Sequence, residues 1–217
     1  MTQDIHQTQP VVHTGAALET APAAMILIHG RGASAESILG LAGEFQRPDL
    51  AYLAPQAAGN VWYPQRFMAP LASNEPWLSS ALRRVDELVA YVAEHGIPHE
   101  KIVLLGFSQG ACLALEYAAR NARRYGGLVG LSGGLIGPDE TPRNYAGSLS
   151  ETPVFLGCSD VDFHIPKERV ILSADVLRGL GGNVEMRLYP GMDHTVNEDE
   201  IGFVSSILET LAPAVAQ

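Results

Sequence analysis

Apolar positions along the chain fall into two periods. Short unbroken apolar runs at 24–29, 51–55, 102–107, 127–131, 154–157 and 184–189 predict strands covered on both faces, and 11–18 predicts a weaker edge strand. Segments of helical period lie between them. In 77–94, Leu78, Ala81, Leu82, Val85, Leu88, Val89 and Val92 share one stripe, which ends at His95-Gly96 with Pro98 just beyond. A further helix is predicted over 166–180, closed by Gly181-Gly182. Another, over 198–211, is introduced by Asn197 and Glu200 at the spacing of a capping box, with Asn in place of Ser or Thr. Residues 111–119 form a helix-forming run directly after the strand at 102–107. Strands alternating with helices predict an α/β fold, a mostly parallel central sheet with helices on both faces. Two long connections, 55–76 and 136–153, interrupt this rhythm. Loops of that length in a compact domain are usually functional. No repeat or linker divides the chain, so 1–217 is expected to form a single domain, with 1–10 as a loose N-terminal tail.

The junction after the strand at 102–107 is Gly106-Phe-Ser108-Gln-Gly110. Gly-x-Ser-x-Gly between a strand and a helix is the setting of a nucleophile elbow. The two glycines remove side chains that would collide in so tight a turn, and they leave the Ser108 hydroxyl exposed above the sheet. A serine nucleophile needs a base to take its proton and a carboxylate to orient that base. Only His164 and His194 lie downstream. His194 falls between the last strand and the last helix, where a hydrolase of this type carries its base; His164 is expected to be solvated or supporting. Asp160 and Asp162 both follow the strand at 154–157, on the same side of an extended segment, and periodicity leaves both open. An oxyanion hole would draw one N–H from Gln109 and another from the loop after His29, which itself is expected to fix that loop. Trp62, Tyr63, Phe67 and Met68, on the first long connection, are candidates for the wall of a substrate pocket.

With Leu27-Ile-His29-Gly30-Arg31-Gly32, the elbow, the Asp–Pro loop and Gly191-Met-Asp-His194, the chain resembles the phospholipase/carboxylesterase family of α/β-hydrolases. That family includes acyl-protein thioesterases and small bacterial carboxylesterases. The resemblance implies an α/β-hydrolase fold with a triad of Ser108, His194 and Asp162, because the family's aspartate stands four residues before a proline and Pro166 follows at that interval. The family often has Pro directly after this aspartate, where this chain has Phe163. The second oxyanion N–H is assigned by resemblance to Arg31, whose guanidinium either points to water or holds an anionic group of the substrate. The implied activity is hydrolysis of carboxylic esters through an acyl-enzyme, with no metal or organic cofactor. A thioesterase or lysophospholipase using the same site is the alternative, with a non-catalytic binding protein as the rival from another class.

Composition narrows the setting. The chain has 217 residues, of which 47 % are hydrophobic and 18 % charged, a balance suited to a packed core. Its 14 basic and 24 acidic residues leave a net charge of −10, which disfavours nucleic acid and anionic membranes. No run approaches the ~20 apolar residues of a membrane span, and no secretory signal is visible. Cys112 and Cys158 form no Cys-x-x-Cys pair, and metal-ligand spacing is absent. A cytoplasmic enzyme acting on a small-molecule ester is expected, without stable membrane insertion; a homodimer is left open.

Overall fold

Alternate residues of the central strands part into two separate cores. The computed structural model describes residues 4–211. Seven strands, β1 Val11–Gly15, β2 Ala24–Ile28, β3 Ala51–Pro55, β4 Ile102–Phe107, β5 Gly127–Leu131, β6 Pro153–Ser159 and β7 Asn183–Tyr189, form one sheet in the order β1-β3-β2-β4-β5-β6-β7. Only β1 runs antiparallel to its neighbour. The helices are α1 Ala35–Glu44, α2 Trp77–Glu94, α3 Gln109–Arg120, α4 Lys167–Gly179 and α5 Glu198–Leu211. Ala24, Ile26 and Ile28 of β2 face the core under α2, α3 and α4, whereas Met25 and Leu27 face the core under α1 and α5. Because side chains alternate across a strand, burial on both faces requires the unbroken apolar runs seen in the sequence. The chain is an α/β-hydrolase in architecture.

Two local expectations change. The sequence pattern predicts no helix over 35–44, where Gly40 and Gly43 lower the propensity. Helix α1 forms because Ser34 and Ser37 cap it reciprocally through backbone N–H groups (3.1 and 3.3 Å), and because Ile38 and Leu39 are buried. Strand β1 stops at Gly15 rather than reaching 18. Gly15 has φ +78°, and a Cβ there would lie 2.2 Å from the Leu50 carbonyl oxygen.

The loose tail is also corrected, for the described residues 4–10. The N–H groups of Ile5 and His6 both donate to Ser80 Oγ, at 3.0 and 3.1 Å. The fully buried His6 ring pairs through Nε2 with the Trp62 carbonyl (3.0 Å) and through Nδ1 with the Ala58 N–H (3.1 Å). A ring nitrogen that accepts from an N–H carries no proton, so the network assigns His6 as the neutral Nε2–H tautomer. Burial lowers its pKa in the same sense.

Parallel strands open their functional crevice at their C-terminal ends, where the direction of crossover reverses. Here that point lies between β2, whose chain continues to β3 on one side, and β4, whose chain continues to β5 on the other. Helix α3 starts there in direct backbone contact. A Cβ on Gly106 would lie 2.2 Å from the Gly110 carbonyl oxygen, and one on Gly110 would lie 2.0 Å from that of Ile28. The helix α5 start is also tightly fitted. Asn197 and Glu200 exchange the two hydrogen bonds of a capping box, each 2.9 Å, and the Glu200 carboxyl is buried against Gly157 of β6. Burial pushes its pKa up to about 7, against the Asn197 N–H that lowers it, and its Oε1 has no partner among the described residues.

Gly110→Ala is therefore expected to destabilise by about 3 kcal/mol or more, because backbone meets backbone and no side chain can give way. Gly40→Ala, in open space within α1, should instead stabilise by about 0.5–1 kcal/mol; urea unfolding of both variants checks the contrast. For Glu200, a carboxyl raised in the folded state binds more protons folded than unfolded between its two pKa values. Stability therefore falls as pH rises through about 4.5 to 7. Glu200→Gln should reduce the loss of unfolding free energy between pH 5 and pH 8 by on the order of 1–3 kcal/mol, and an unchanged loss would refute the assignment.

Candidate active site

Ser108 occupies the turn between β4 and α3 with φ +55° and ψ −119°, a backbone state that non-glycine residues seldom adopt. Its N–H donates to the Leu131 carbonyl at the end of β5 (2.9 Å), and its carbonyl accepts from Cys112 (3.0 Å) to begin the helix. The strained turn thus projects the side chain away from both elements, half-buried at the sheet edge. His194 reaches it from the loop between β7 and α5, with Nε2 2.9 Å from Ser108 Oγ. His194 Nδ1 lies 2.6 Å from Asp162 Oδ2. Since the carboxylate can only accept, the network assigns the proton to Nδ1 and leaves Nε2 free to accept from the hydroxyl. The Phe107 ring lies 5.0 Å from the imidazole, and the His164 ring 4.9 Å away on edge.

Asp162 has no exposed side-chain surface. Burial works to raise its pKa, but hydrogen bonds from His194 and from the N–H groups of His164 (2.8 Å) and Ile165 (3.1 Å) outweigh it and hold the carboxyl below its ordinary range. Asp160 does something different: its Oδ1 accepts from the Gly191 N–H at 2.8 Å, joining the loop that carries Asp162 to the loop that carries His194. The segment turns instead of running extended, so the two carboxylates point apart. His164 lines the cavity without reaching Ser108, and Phe163, standing where relatives often have Pro, is 94 % exposed.

A cavity of about 300 Å³ opens beside Ser108. Of the four pocket candidates, Tyr63 and Phe67 line it, and so do Arg31 and Gln109. The other two pocket candidates do not. Trp62 is fully buried, its indole N–H donating to the His29 carbonyl at 2.9 Å, and Met68 packs on the core under α2, α3 and α4. The loop turns these residues inward because buried polar partners hold it. His29, through a Gly30 carbonyl (2.8 Å) and an Ala57 N–H (3.1 Å), fixes its start. The Gln109 side chain takes the Trp62 N–H (3.0 Å) and donates to the Tyr63 carbonyl (2.8 Å).

The Arg31 guanidinium neither drifts in water nor stands free. It donates to the carbonyls of Tyr63, Pro64 and Gln65 at 2.7–3.0 Å and so clamps the loop edge.

Sequence reasoning missed several wall residues, among them Phe107, Cys112, Ile165 and Arg66. Cys112 was accessible in principle, since it follows Ser108 by one helical turn and so shares its face. Its thiol is buried and its pKa is pushed up to about 12 by that burial, which makes it an inert wall rather than a nucleophile. Among the described residues, no group of three or more His, Cys, Asp or Glu side chains is arranged to hold a metal ion. No described helix is long and apolar enough to cross a membrane.

Comparison with known proteins agrees with this architecture. A family model described as phospholipase/carboxylesterase matches residues 9–212. The solved structure of a phospholipase/carboxylesterase from Dyadobacter fermentans is 42 % identical, covering 96 % of this chain and all of that one, with a TM-score of 0.91. Acyl-protein thioesterase 1 of Yarrowia lipolytica is 26 % identical over 206 residues, 86 % of this chain and 91 % of that protein. The Gibberella zeae protein of the same name is 33 % identical over 132 residues, which span 58 % of this chain and only 54 % of that relative. With nearly its whole length matched by the family model, the chain belongs to the phospholipase/carboxylesterase family of α/β-hydrolases.

Proposed function

We propose that the protein is a serine hydrolase that cleaves carboxylic esters through an acyl-enzyme. The observation that carries this reading is the unbroken hydrogen-bond chain Asp162–His194–Ser108 ending at the cavity. In the proposed mechanism His194 Nε2 takes the Ser108 proton as Oγ attacks the substrate carbonyl. Asp162, kept ionised by its hydrogen bonds, orients the imidazole and stabilises the imidazolium that forms. The backbone N–H groups of Gln109 and Arg31 receive the oxyanion, and the first lies at the N-terminus of α3, where helix N–H groups have no internal partner. His194 then gives its proton to the leaving alcohol, and a water activated by the same imidazole releases the acid.

The cavity is at the small end of ligand sites, which run from about 300 to 1,000 Å³, and this favours short acyl and alcohol groups. Relatives named acyl-protein thioesterase support a second reading, in which the same site cleaves thioesters. A cytoplasmic setting belongs to the proposal too, since Cys112 and Cys158 are both buried free thiols.

Ser108→Ala is expected to lower kcat on p-nitrophenyl acetate by on the order of 10⁶-fold and to abolish labelling by a fluorophosphonate probe. Asp162→Asn should lose about 10⁴-fold, the scale for a triad carboxylate. Asp160→Asn should lose far less and show its effect mainly in thermal stability, through the lost Gly191 bond. Comparable losses in the two aspartate variants would remove the division of roles.

A further inference from the structure

Cationic charge is scarce in this chain and almost wholly committed. Arg47 pairs with Asp49, Arg120 and Arg143 with Glu116, Arg169 with Asp139, Arg178 with Asp175, and Arg187 with Glu185 and Asp199. Every other arginine except Arg66 also has a side-chain partner. Among the described arginines, Arg66 alone makes no side-chain hydrogen bond or ion pair, and it lines the cavity beside Ser108. Its backbone is nevertheless fixed. The buried Asn74 accepts from the Gln65 N–H (2.7 Å) and donates to the Arg66 carbonyl (3.2 Å), and the neighbouring Phe67 ring forms part of the wall. The guanidinium therefore extends from a rigid point with all its donors free.

The second cavity arginine strengthens this. Three carbonyls satisfy the donors of Arg31, but carbonyls are dipoles and leave its charge uncompensated. No carboxylate lines the cavity, and Asp162 is enclosed behind His194. A protein of net charge −10 thus keeps a locally positive mouth at the one place where a substrate enters. The planar guanidinium fork matches a carboxylate, which it can bind through two parallel hydrogen bonds.

Resting on the ester-hydrolase reading above, we infer that the site takes esters bearing a carboxylate remote from the scissile bond, with Arg66 as the residue that selects them. The apolar walls receive the body of the substrate, Arg66 holds the anionic end, and Arg31 adds field without direct pairing.

The test compares matched esters that differ in one charge. Mono-p-nitrophenyl adipate and its methyl ester carry the difference on the acyl arm; 4-acetoxybenzoate and its methyl ester carry it on the alcohol arm. The wild-type protein should prefer the anionic member of at least one pair. Arg66→Gln should lower that anionic-to-neutral ratio of kcat/KM about fivefold to tenfold, as expected for a hydrogen-bonded charge at a partly exposed site. Arg66→Lys should retain part of it, and added salt should shrink the ratio in the wild type but not in Arg66→Gln. Ratios unmoved by Arg66→Gln in both pairs, with the neutral esters still cleaved, would overturn this inference alone. Failure of the wild type to cleave any of the four esters or to react with a fluorophosphonate would overturn the hydrolase reading and this inference with it.

Discussion

The first turn of α3 rests with its own backbone on the last carbonyls of β2, and little else in the site could stand where it does without that contact. Gly110 and Gly106 permit an approach at which any Cβ would overlap a carbonyl oxygen. The closeness leaves a single residue to turn the chain from strand to helix, and Ser108 does so at positive φ. The same contact brings the β2–α1 loop against the elbow, since a Cβ on Gly30 would lie 3.3 Å from that of Ser108. Ser108 and the β2–α1 loop are therefore positioned by one packing event between two elements.

The loops around the elbow are held by buried polar groups more than by apolar packing. His6, His29, Gln109 and Trp62 share one network under the segment 56–65, in which each ring nitrogen and amide has a defined partner. The connection 132–152 joins two parallel neighbours without a helix. Glu116 receives the Ile136 N–H and the Tyr145 hydroxyl, and the buried Arg169 holds the carbonyls of Leu135 and Gly137. Each buried partner is costly to leave unpaired, so these hydrogen bonds together favour one loop conformation. This is how a cavity bounded by irregular chain keeps a fixed shape.

The sheet was legible because burial on both faces writes itself as continuous apolar runs, and the elbow because its glycines are dictated by backbone contact. His194 could be located by its place between the last strand and helix. The choice between Asp160 and Asp162 was not legible from periodicity, because the residues after β6 turn and the two carboxylates diverge. Resemblance to relatives, through the interval to Pro166, pointed to the one that meets His194. Trp62 and Met68 misled for a related reason: aromatic and apolar character shows that a loop buries something, while distant hydrogen bonds decide which face it turns inward. The N-terminal residues misled because a Gln/His/Thr-rich segment looks solvated until partners 52 to 75 positions away are known.

Those separations carry a consequence for the order in which the molecule is assembled. Ile5 and His6 are held by Ala58, Trp62 and Ser80, which follow them by 52 to 75 residues. Contacts so distant along the chain form only after the entropy of closing the intervening loop has been overcome, so they belong late in folding. The segment carrying Ile5 and His6 thus acts as a latch, fastened after the β3–α2 loop has taken shape. Beneath the aromatic side of the site, the segment that closes the network is among the last to be secured.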